Sequence, residues 1–448
     1  MCGIYAIFNN NYNKNINELY HCLKRLQHRG KDGYGIVYLL DDISLVTTKG
    51  EGEIKKKLFN RVNEIKCKSC VGHLRYSTSG SSVKNGLLKR TELQPIRGYD
   101  SDGSGPFYIA HNGNIPNVDN HDTTYIRNLL EKEGSMEDKL IKIINDIPAA
   151  FSIVILTHNN NMYILRDRFG IRPLCIGKNY DKYHISSESC AFSNDVNFIR
   201  DVKPGELIKI DETGLKTLYL RDNSVLNLCS FEILYFLNEN SYVDGIQIKN
   251  VRKNLGKLLA RKEDIIDMES KEDYLVVGIP LSGILYGKSY AKELGIKYCQ
   301  IVHKNKNSSR TFIILDNEER KKACDKKFNY DKELIKDKKI IIVDDTIVRG
   351  NVIKSIIKSI KKCGAKEIHI RIPGPPVIDI CELGISIQSK EELIMNNNNN
   401  SIEGVCKEIN ADSLKYLSVN DLEYFPKNTY NQCFTGYINP IIKSVKLI

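Results

Sequence analysis

Along the first half of the chain, apolar residues come in short runs separated by Gly and Asn turns. The runs Cys2–Phe8, Gly35–Leu40, Ile43–Thr47, Cys70–His73, Phe107–His111, Phe151–Thr157 and Met162–Arg166 read as strands. Helical spacing marks Ile16–Gln27 and Thr123–Glu133. Many strands with few helical periods predict two packed sheets. From Ser230 the pattern changes. Ile248–Ala260 and Ile284–Leu294 read as helices, Tyr274–Ile279 and Lys339–Val343 as continuous apolar strands, Val352–Lys362 as a helix closed by Gly364, and Glu367–Arg371 as the next strand. Strand, turn, helix, strand predicts a parallel, doubly wound sheet. The polar stretch Arg221–Leu228 separates the two patterns and divides the chain into domains 1–225 and 226–448. Residues 80–105 read as a long loop, and the tract Asn396–Asn400 as a disordered surface insertion.

Composition changes this picture little. With 27% charged and 41% hydrophobic residues, the 448-residue chain is an ordinary globular one. No apolar run reaches the roughly 18 residues of a membrane span, and the start lacks the layout of a signal peptide, so a cytoplasmic protein is expected. Thirteen cysteines, an odd number, argue against a disulfide framework. The Cys67-Lys68-Ser69-Cys70 pair finds no second pair at zinc spacing. The net charge of +11 is spread over scattered lysines without interleaved aromatics. That excludes a nucleic-acid platform and suits an anionic phosphate substrate.

Chemistry begins at the second residue. Removal of Met1 makes Cys2 an N-terminal residue carrying both a thiol and an α-amine. The amine titrates near about 7.7–8.0, so it can act as general base for its own thiol. Further along stand Leu26-Gln27-His28-Arg29-Gly30, His73-Leu74-Arg75-Tyr76-Ser77-Thr78, Ala110-His111-Asn112-Gly113-Asn114, Leu165 to Leu174 and Ser187-Glu188-Ser189. In this order, anchored on Cys2, they resemble the glutamine amidotransferase domain of the N-terminal-nucleophile type. The fold this implies is an αββα sandwich. Asn112 and the Gly113 N–H suit an oxyanion site. Arg75 makes a fork for the glutamine α-carboxylate. The resemblance assigns Asp122 to the α-ammonium and Arg29-Gly30 to the loop over bound glutamine.

The second half carries Ile340-Ile341-Ile342-Val343-Asp344-Asp345-Thr346-Ile347-Val348-Arg349-Gly350-Asn351. A buried strand, two acids and a turn into a helix resemble the diphosphate-sugar signature of phosphoribosyltransferases. Backbone N–H groups from Thr346 through Ile347, Val348, Arg349 and Gly350 to Asn351 can wrap a 5′-phosphate. Asp344 and Asp345 suit ribose hydroxyls and Mg²⁺. Both domains together resemble the amidophosphoribosyltransferase family, with glutamine and phosphoribosyl diphosphate as substrates, purine nucleotides as feedback inhibitors and a homo-oligomeric assembly implied. Lys304 matches the start of the family's closing loop, and Ser282 a Mg²⁺ contact. The chain departs from the pattern at Leu281, where an acid is expected, at Asn307, where an aromatic is, and at Ser386, where the family has Asp.

One branch of the family holds an iron–sulfur cluster on four cysteines. Cys229, Cys381 and Cys433 match three of them, and Tyr430 stands at the fourth position. Two other readings compete with a purine-synthesis enzyme. A regulatory pseudo-enzyme is motivated by the three departures. Another amidotransferase, such as a glucosamine 6-phosphate synthase, would share the first domain but lack the Asp344–Asn351 string.

Overall fold

A computed structural model describes residues 1–41, 43–56, 64–76, 92–101, 103, 105–116, 118, 121–264, 270–305, 328–381, 383, 387 and 389–437. The N-terminal part contains, in chain order, β1 (Gly3–Phe8), α1 (Asn15–Arg25), β2 (Gly33–Leu39), β3 (Leu45–Glu51), β4 (Cys70–Arg75), β5 (Ile96–Tyr99), β6 (Pro106–Asn114), α2 (Asp122–Leu130), α3 (Met136–Asp146), β7 (Ala150–Thr157) and β8 (Met162–Arg166). Then follow β9 (Cys175–Asn179), β10 (Lys182–Ser186), β11 (Asn197–Asp201), β12 (Glu206–Asp211) and β13 (Gly214–Leu220). They form two sheets, β11-β9-β10-β1-β4-β2-β3 and β13-β12-β8-β7-β6-β5, with antiparallel neighbours.

Strand alternation explains the layering, because successive side chains point to opposite faces. Tyr5 and Ile7 of β1 pack outward with Leu19 and Leu23 of α1. Ile4, Ala6 and Phe8 face inward, onto Tyr108 and Ala110 of β6 and Val154 of β7. The outer face of the second sheet, including Ile109, Ile153 and Ile155, buries Ile126 of α2 and Leu140 of α3. The result is helix, sheet, sheet, helix.

The C-terminal part holds β14 (Leu228–Cys229), β15 (Tyr242–Val243), β16 (Ile246–Gln247), α4 (Ile248–Arg261), β17 (Tyr274–Gly278), α5 (Ile284–Leu294), β18 (Val302–Lys304) and β19 (Phe328–Tyr330). After these come α6 (Lys332–Ile335), β20 (Lys339–Val343), α7 (Asn351–Lys362), β21 (Glu367–Ile372), α8 (Ile394–Asn397), α9 (Ile402–Ile409), β22 (Ser413–Tyr416) and β23 (Thr429–Tyr430). The central sheet, β17-β20-β21-β22, is parallel throughout. Val276, Ile341 and Val343 meet α4 and α5 on one face. Leu275, Val277, Ile340 and Ile342 meet α7 and α9 on the other.

Several expectations are corrected. Asn396–Asn400 is ordered: α8 runs into it, Asn399 and Asn400 adopt φ of +52° and +57°, and the Asn400 N–H reaches the Met395 carbonyl at 2.8 Å. Asn tolerates left-handed backbone better than other non-glycine residues, so the tract makes a tight turn. Ser401 then caps α9 by accepting from the Gly404 N–H. The loop expected at 80–105 contains β5, whose alternating buried and exposed residues span only four positions. Helix α3, capped by Ser135, was also missed.

The two parts meet through buried charge. Arg29 donates through Nε to the Cys2 carbonyl at 2.8 Å, through Nη1 to Glu188 at 2.6 Å and through Nη2 to Glu232 at 2.8 Å. Glu232 lies on the π-helical turn Glu232–Phe236 of the C-terminal part, and Arg172 stands 3.6 Å from it. Burial pushes the Glu188 carboxyl up, but the charges of His28 and Arg29 and hydrogen bonds from His28 and Ser241 outweigh it and hold the group well below the usual range. Breaking a buried pair leaves an uncompensated charge. Glu232→Gln should therefore cost about 3–5 kcal/mol of stability, read as a lower urea midpoint with an unchanged slope; an unaltered midpoint would contradict the coupling.

Candidate active site

Cys2 lies at the start of β1, half-buried, and its Sγ accepts from the Tyr76 N–H at 3.5 Å. Tyr76 follows the end of β4, so Arg75 projects next to it. Arg75 contacts His121 at 3.1 Å and pairs with Glu92, donating to its carboxylate at 2.9 Å and its carbonyl at 3.0 Å. His121 precedes Asp122, which opens α2 and accepts from the Thr123 N–H at 2.7 Å. Thr123 accepts from Gln94 and meets the His111 ring, while His73 binds the His111 carbonyl. These contacts bring the ends of β1, β4 and β6 and the start of α2 together. Burial pushes the His73 imidazole down to about 3, so it is neutral.

Asn112 is buried, yet neither side-chain amide atom has a hydrogen-bond partner among the described residues. A buried polar group left unpaired costs about 1–3 kcal/mol, so its retention calls for a ligand or a transition state. Gly113 beside it admits no side chain: a Cβ would stand 2.0 Å from the Ala150 carbonyl oxygen. Gly30 packs against the backbone of Leu74 and Arg75. The Arg29 guanidinium is fully buried and donates to the Cys2 carbonyl, Glu188 and Glu232, so it braces the Cys2 backbone. Glu92 and Gln94 were not anticipated, and the motif residues Glu188 and Glu232 gave no sign of their partners, because polar residues distant in the chain carry no period that marks their pairing.

The second site forms at the carboxyl end of the parallel sheet. Asp344 and Asp345 follow β20. The Asp344 carboxylate accepts from the Ser282 hydroxyl at 2.9 Å and from the Asp345 N–H at 3.0 Å. Thr346 donates to Asp345 at 2.7 Å. Burial, reinforced for Asp344 by the charge of Asp345, raises both carboxyls above the usual range. Such a pair favours a cation between its members. Asp344, Asp345 and Ser282 thus offer the hard oxygen donors that Mg²⁺ takes. The backbone N–H groups of Thr346, Ile347, Val348 and Gly350 make no hydrogen bond among the described residues. Gly350 turns the chain into α7 at φ +75°. Asn351 is the first residue of α7, and Arg349 pairs with Glu392 at 2.7 Å. Leu281 is exposed. Lys304 ends β18, which pairs antiparallel with β19. Asn307, Arg310–Phe312 and Ser386 lie outside the described residues, as do Ser77 and Thr78.

Cys229, Cys381 and Cys433 are buried near one another. Burial first, then Cys381, pushes the Cys229 thiol up to about 12, and burial with both other cysteines raises Cys433. Tyr430 lies opposite Cys229 in the β14–β23 ladder and donates to Gln432. Three thiols and a phenol engaged elsewhere fall one thiolate short of a four-cysteine cluster. His28, Glu188 and Cys190 also offer ligand atoms close together. There the Glu188 carboxylate already accepts from His28, Arg29, Ser241 and the Asn238 N–H.

A nucleophile-bearing sandwich joined to a parallel sheet with an acid-tipped phosphate loop defines a glutamine amidotransferase fused to a phosphoribosyltransferase. Family models agree: the glutamine amidotransferase domain matches residues 86–194 and the phosphoribosyl transferase domain residues 247–373. Amidophosphoribosyltransferase of Bacillus subtilis is 32% identical, covering 97% of this chain and 93% of its own length. That of Methanocaldococcus jannaschii is 33% identical, covering 94% and 93%. The solved B. subtilis glutamine phosphoribosylpyrophosphate amidotransferase, complexed with ADP and GMP, superposes with a TM-score of 0.84 at 31% identity over 97% of each chain. The chain belongs to the amidophosphoribosyltransferase family.

Gly113→Ala should lower stability by about 1–3 kcal/mol through overpacking against β7. Urea unfolding checks this, and an unchanged midpoint would show that the strand yields freely.

Proposed function

We propose that this enzyme catalyses the first committed step of purine synthesis, converting phosphoribosyl diphosphate, glutamine and water into 5-phosphoribosylamine, glutamate and diphosphate. The observation that carries the reading is the pairing, in one chain, of the Cys2 site with the Asp344–Asn351 loop. In the glutamine half, loss of Met1 frees the Cys2 α-amine. That amine takes the thiol proton, and the Sγ attacks the carboxamide carbon. Asn112 and the Gly113 N–H receive the oxyanion, using an amide otherwise left unsatisfied. Removing one such donor typically costs about 2.7–4 kcal/mol. The amine returns the proton to the leaving nitrogen, and ammonia departs as the thioester forms. Water then hydrolyses the thioester. Arg75 holds the α-carboxylate, exchanging Glu92 for substrate, and Asp122 holds the α-ammonium, with the Arg29-Gly30 loop supporting the site.

In the sugar half, Thr346 to Asn351 cradle the 5′-phosphate at the start of α7. Asp344 and Asp345 hold the ribose hydroxyls and, with Ser282, would hold Mg²⁺, which supplies charge neutralisation for the departing diphosphate. Two carboxylates below the ring favour the positive charge that develops at the anomeric carbon. Lys304, at the end of β18, is assigned to the diphosphate by the family resemblance. Ammonia must reach this carbon without meeting bulk water, where protonation removes its lone pair. Among the described residues no helix is long and apolar enough to cross a membrane, and we place the enzyme in the cytoplasm as a homo-oligomer under purine-nucleotide feedback. Domains 1–225 and 226–448 would each house one site. Glucosamine 6-phosphate synthase is disfavoured by the phosphoribosyl transferase match, and a pseudo-enzyme by the unspent Asn112 amide.

Two variants separate the halves. Cys2→Ala should abolish glutamine-dependent synthesis yet keep synthesis from added ammonia. Asp345→Asn should suppress both, while basal glutamate release survives. Retained glutaminase activity in Cys2→Ala, or equal loss of basal hydrolysis in a folded Asp345→Asn, would refute the assignment.

A further inference from the structure

Helix α2 starts from a residue that does not cap it. His121 holds the capping position, with φ −54° and ψ 127°, and its carbonyl accepts from the Thr124 and Tyr125 N–H groups at 2.9 and 3.1 Å. Its side chain makes no capping hydrogen bond. Ser, Thr, Asp and Asn are the preferred caps because their oxygens satisfy an orphan N–H, and histidine is not among them. A local rule broken without local gain marks a position used for something else.

The imidazole is turned toward Arg75. Arg75 Nη1 meets His121 Nε2 at 3.1 Å and donates to the Glu92 carbonyl at 3.0 Å, while Nη2 donates to the Glu92 carboxylate at 2.9 Å. A guanidinium only donates, so Nε2 is the acceptor and the neutral ring carries its proton on Nδ1. That Nδ1 is buried without a hydrogen-bond partner among the described residues, and Asp122 Oδ1 stands 3.8 Å from it. The other Asp122 oxygen lies 3.7 Å from His111 Nδ1. Burial and the charge of Arg75 lower the His121 pKa against the opposite pull of Asp122 and Glu92, which keeps the ring neutral at pH 7. A backbone carbonyl and this ring thus hold Nη1, and Nη2 faces a partly exposed carboxylate.

We propose, on the reading of Arg75 as partner of the glutamine α-carboxylate, that His121 is a positioning residue of that site. It keeps the guanidinium in place while the substrate carboxylate displaces that of Glu92. Departure of the Glu92 carboxylate frees one arm of Arg75, and the bonds kept on the other arm limit the orientations that the substrate has to select. The ring also stands between Arg75 and Asp122. The groups given to the substrate's carboxylate and ammonium are therefore fixed relative to one another, and an amino acid head meets both at once.

Glutamine-dependent synthesis at saturating phosphoribosyl diphosphate tests this, read as kcat/KM at low glutamine. His121→Asn is too short to accept where Nε2 does, whereas His121→Gln keeps an acceptor at that reach. His121→Asn should lower kcat/KM roughly tenfold or more, mainly through KM, and His121→Gln should restore most of it. Asn is also a good cap, so the unfolding temperature of His121→Asn should be no lower than that of the wild type. In an Arg75→Gln background, His121→Asn should add no further loss, because the ring acts through the guanidinium. Losses that multiply, a His121→Gln as impaired as His121→Asn, or a fall in kcat/KM matched by a fall in stability would overturn the proposal. Undiminished kcat/KM in Arg75→Gln alone would instead overturn the reading of Arg75 on which it stands.

Discussion

The structure depends on one buried ionic knot. Arg29 and Arg172 of the N-terminal part face Glu188 and Glu232, with the Cys2 carbonyl as a further acceptor. Two guanidiniums and two carboxylates balance in charge. Removing them from water is costly, and only mutual pairing with full hydrogen bonding offsets it. That requirement fixes geometry. The nucleophile's backbone, the turn carrying Glu188 and the π-helical turn of the other part must stay in one arrangement. A second pair, Arg166 with Asp244 at 2.7 Å, fastens the β15–β16 hairpin to β8.

From this constraint the two sites acquire contrasting electrostatics. Around Cys2, Arg75 is paired with Glu92 and Asp122 with Thr123, while among the described residues both amide atoms of Asn112 and one ring nitrogen each of His73 and His111 make no hydrogen bond. A substrate carboxylate therefore has a partner to displace, while a transition-state oxyanion does not. At the sheet's carboxyl end the balance is reversed. Asp344 and Asp345 are crowded and raised in pKa, and the N–H groups of Thr346, Ile347, Val348 and Gly350 make no hydrogen bond among the described residues. One element calls for positive charge and the next for negative, the polarity of a sugar phosphate bound with a cation.

The sequence made much of this legible where period and chemistry coincide. The short apolar runs of β1, β6 and β7 marked the sandwich because both faces of each strand are buried, in different cores. The run Ile340–Val343 followed by two acids was legible as a buried strand of a parallel sheet with both carboxylates at its end, since a continuous apolar run suits a strand covered on both faces. Long-range pairing was not legible. Nothing local to Glu92 points to Arg75, and Glu232 sits 203 residues from Arg29. The motif around Arg29 marked a loop, and the partners of its side chain became visible only in the fold. The asparagine tract was misread because composition suggested disorder, while left-handed tolerance made it a turn. Tyr430 was legible as a departure from a four-cysteine pattern, and its phenol donates to Gln432.

The central claim is that nitrogen released at Cys2 passes to the sugar site without entering bulk water. Product formed from amide-¹⁵N glutamine in the presence of unlabelled ammonium, kept below the concentration at which Cys2→Ala makes product, tests it directly. Retention of the label in 5-phosphoribosylamine, undiluted by the ammonium pool, is the predicted result. Label that falls in proportion to the added ammonium would contradict the account, because it would mean that the two sites exchange nitrogen only through solvent.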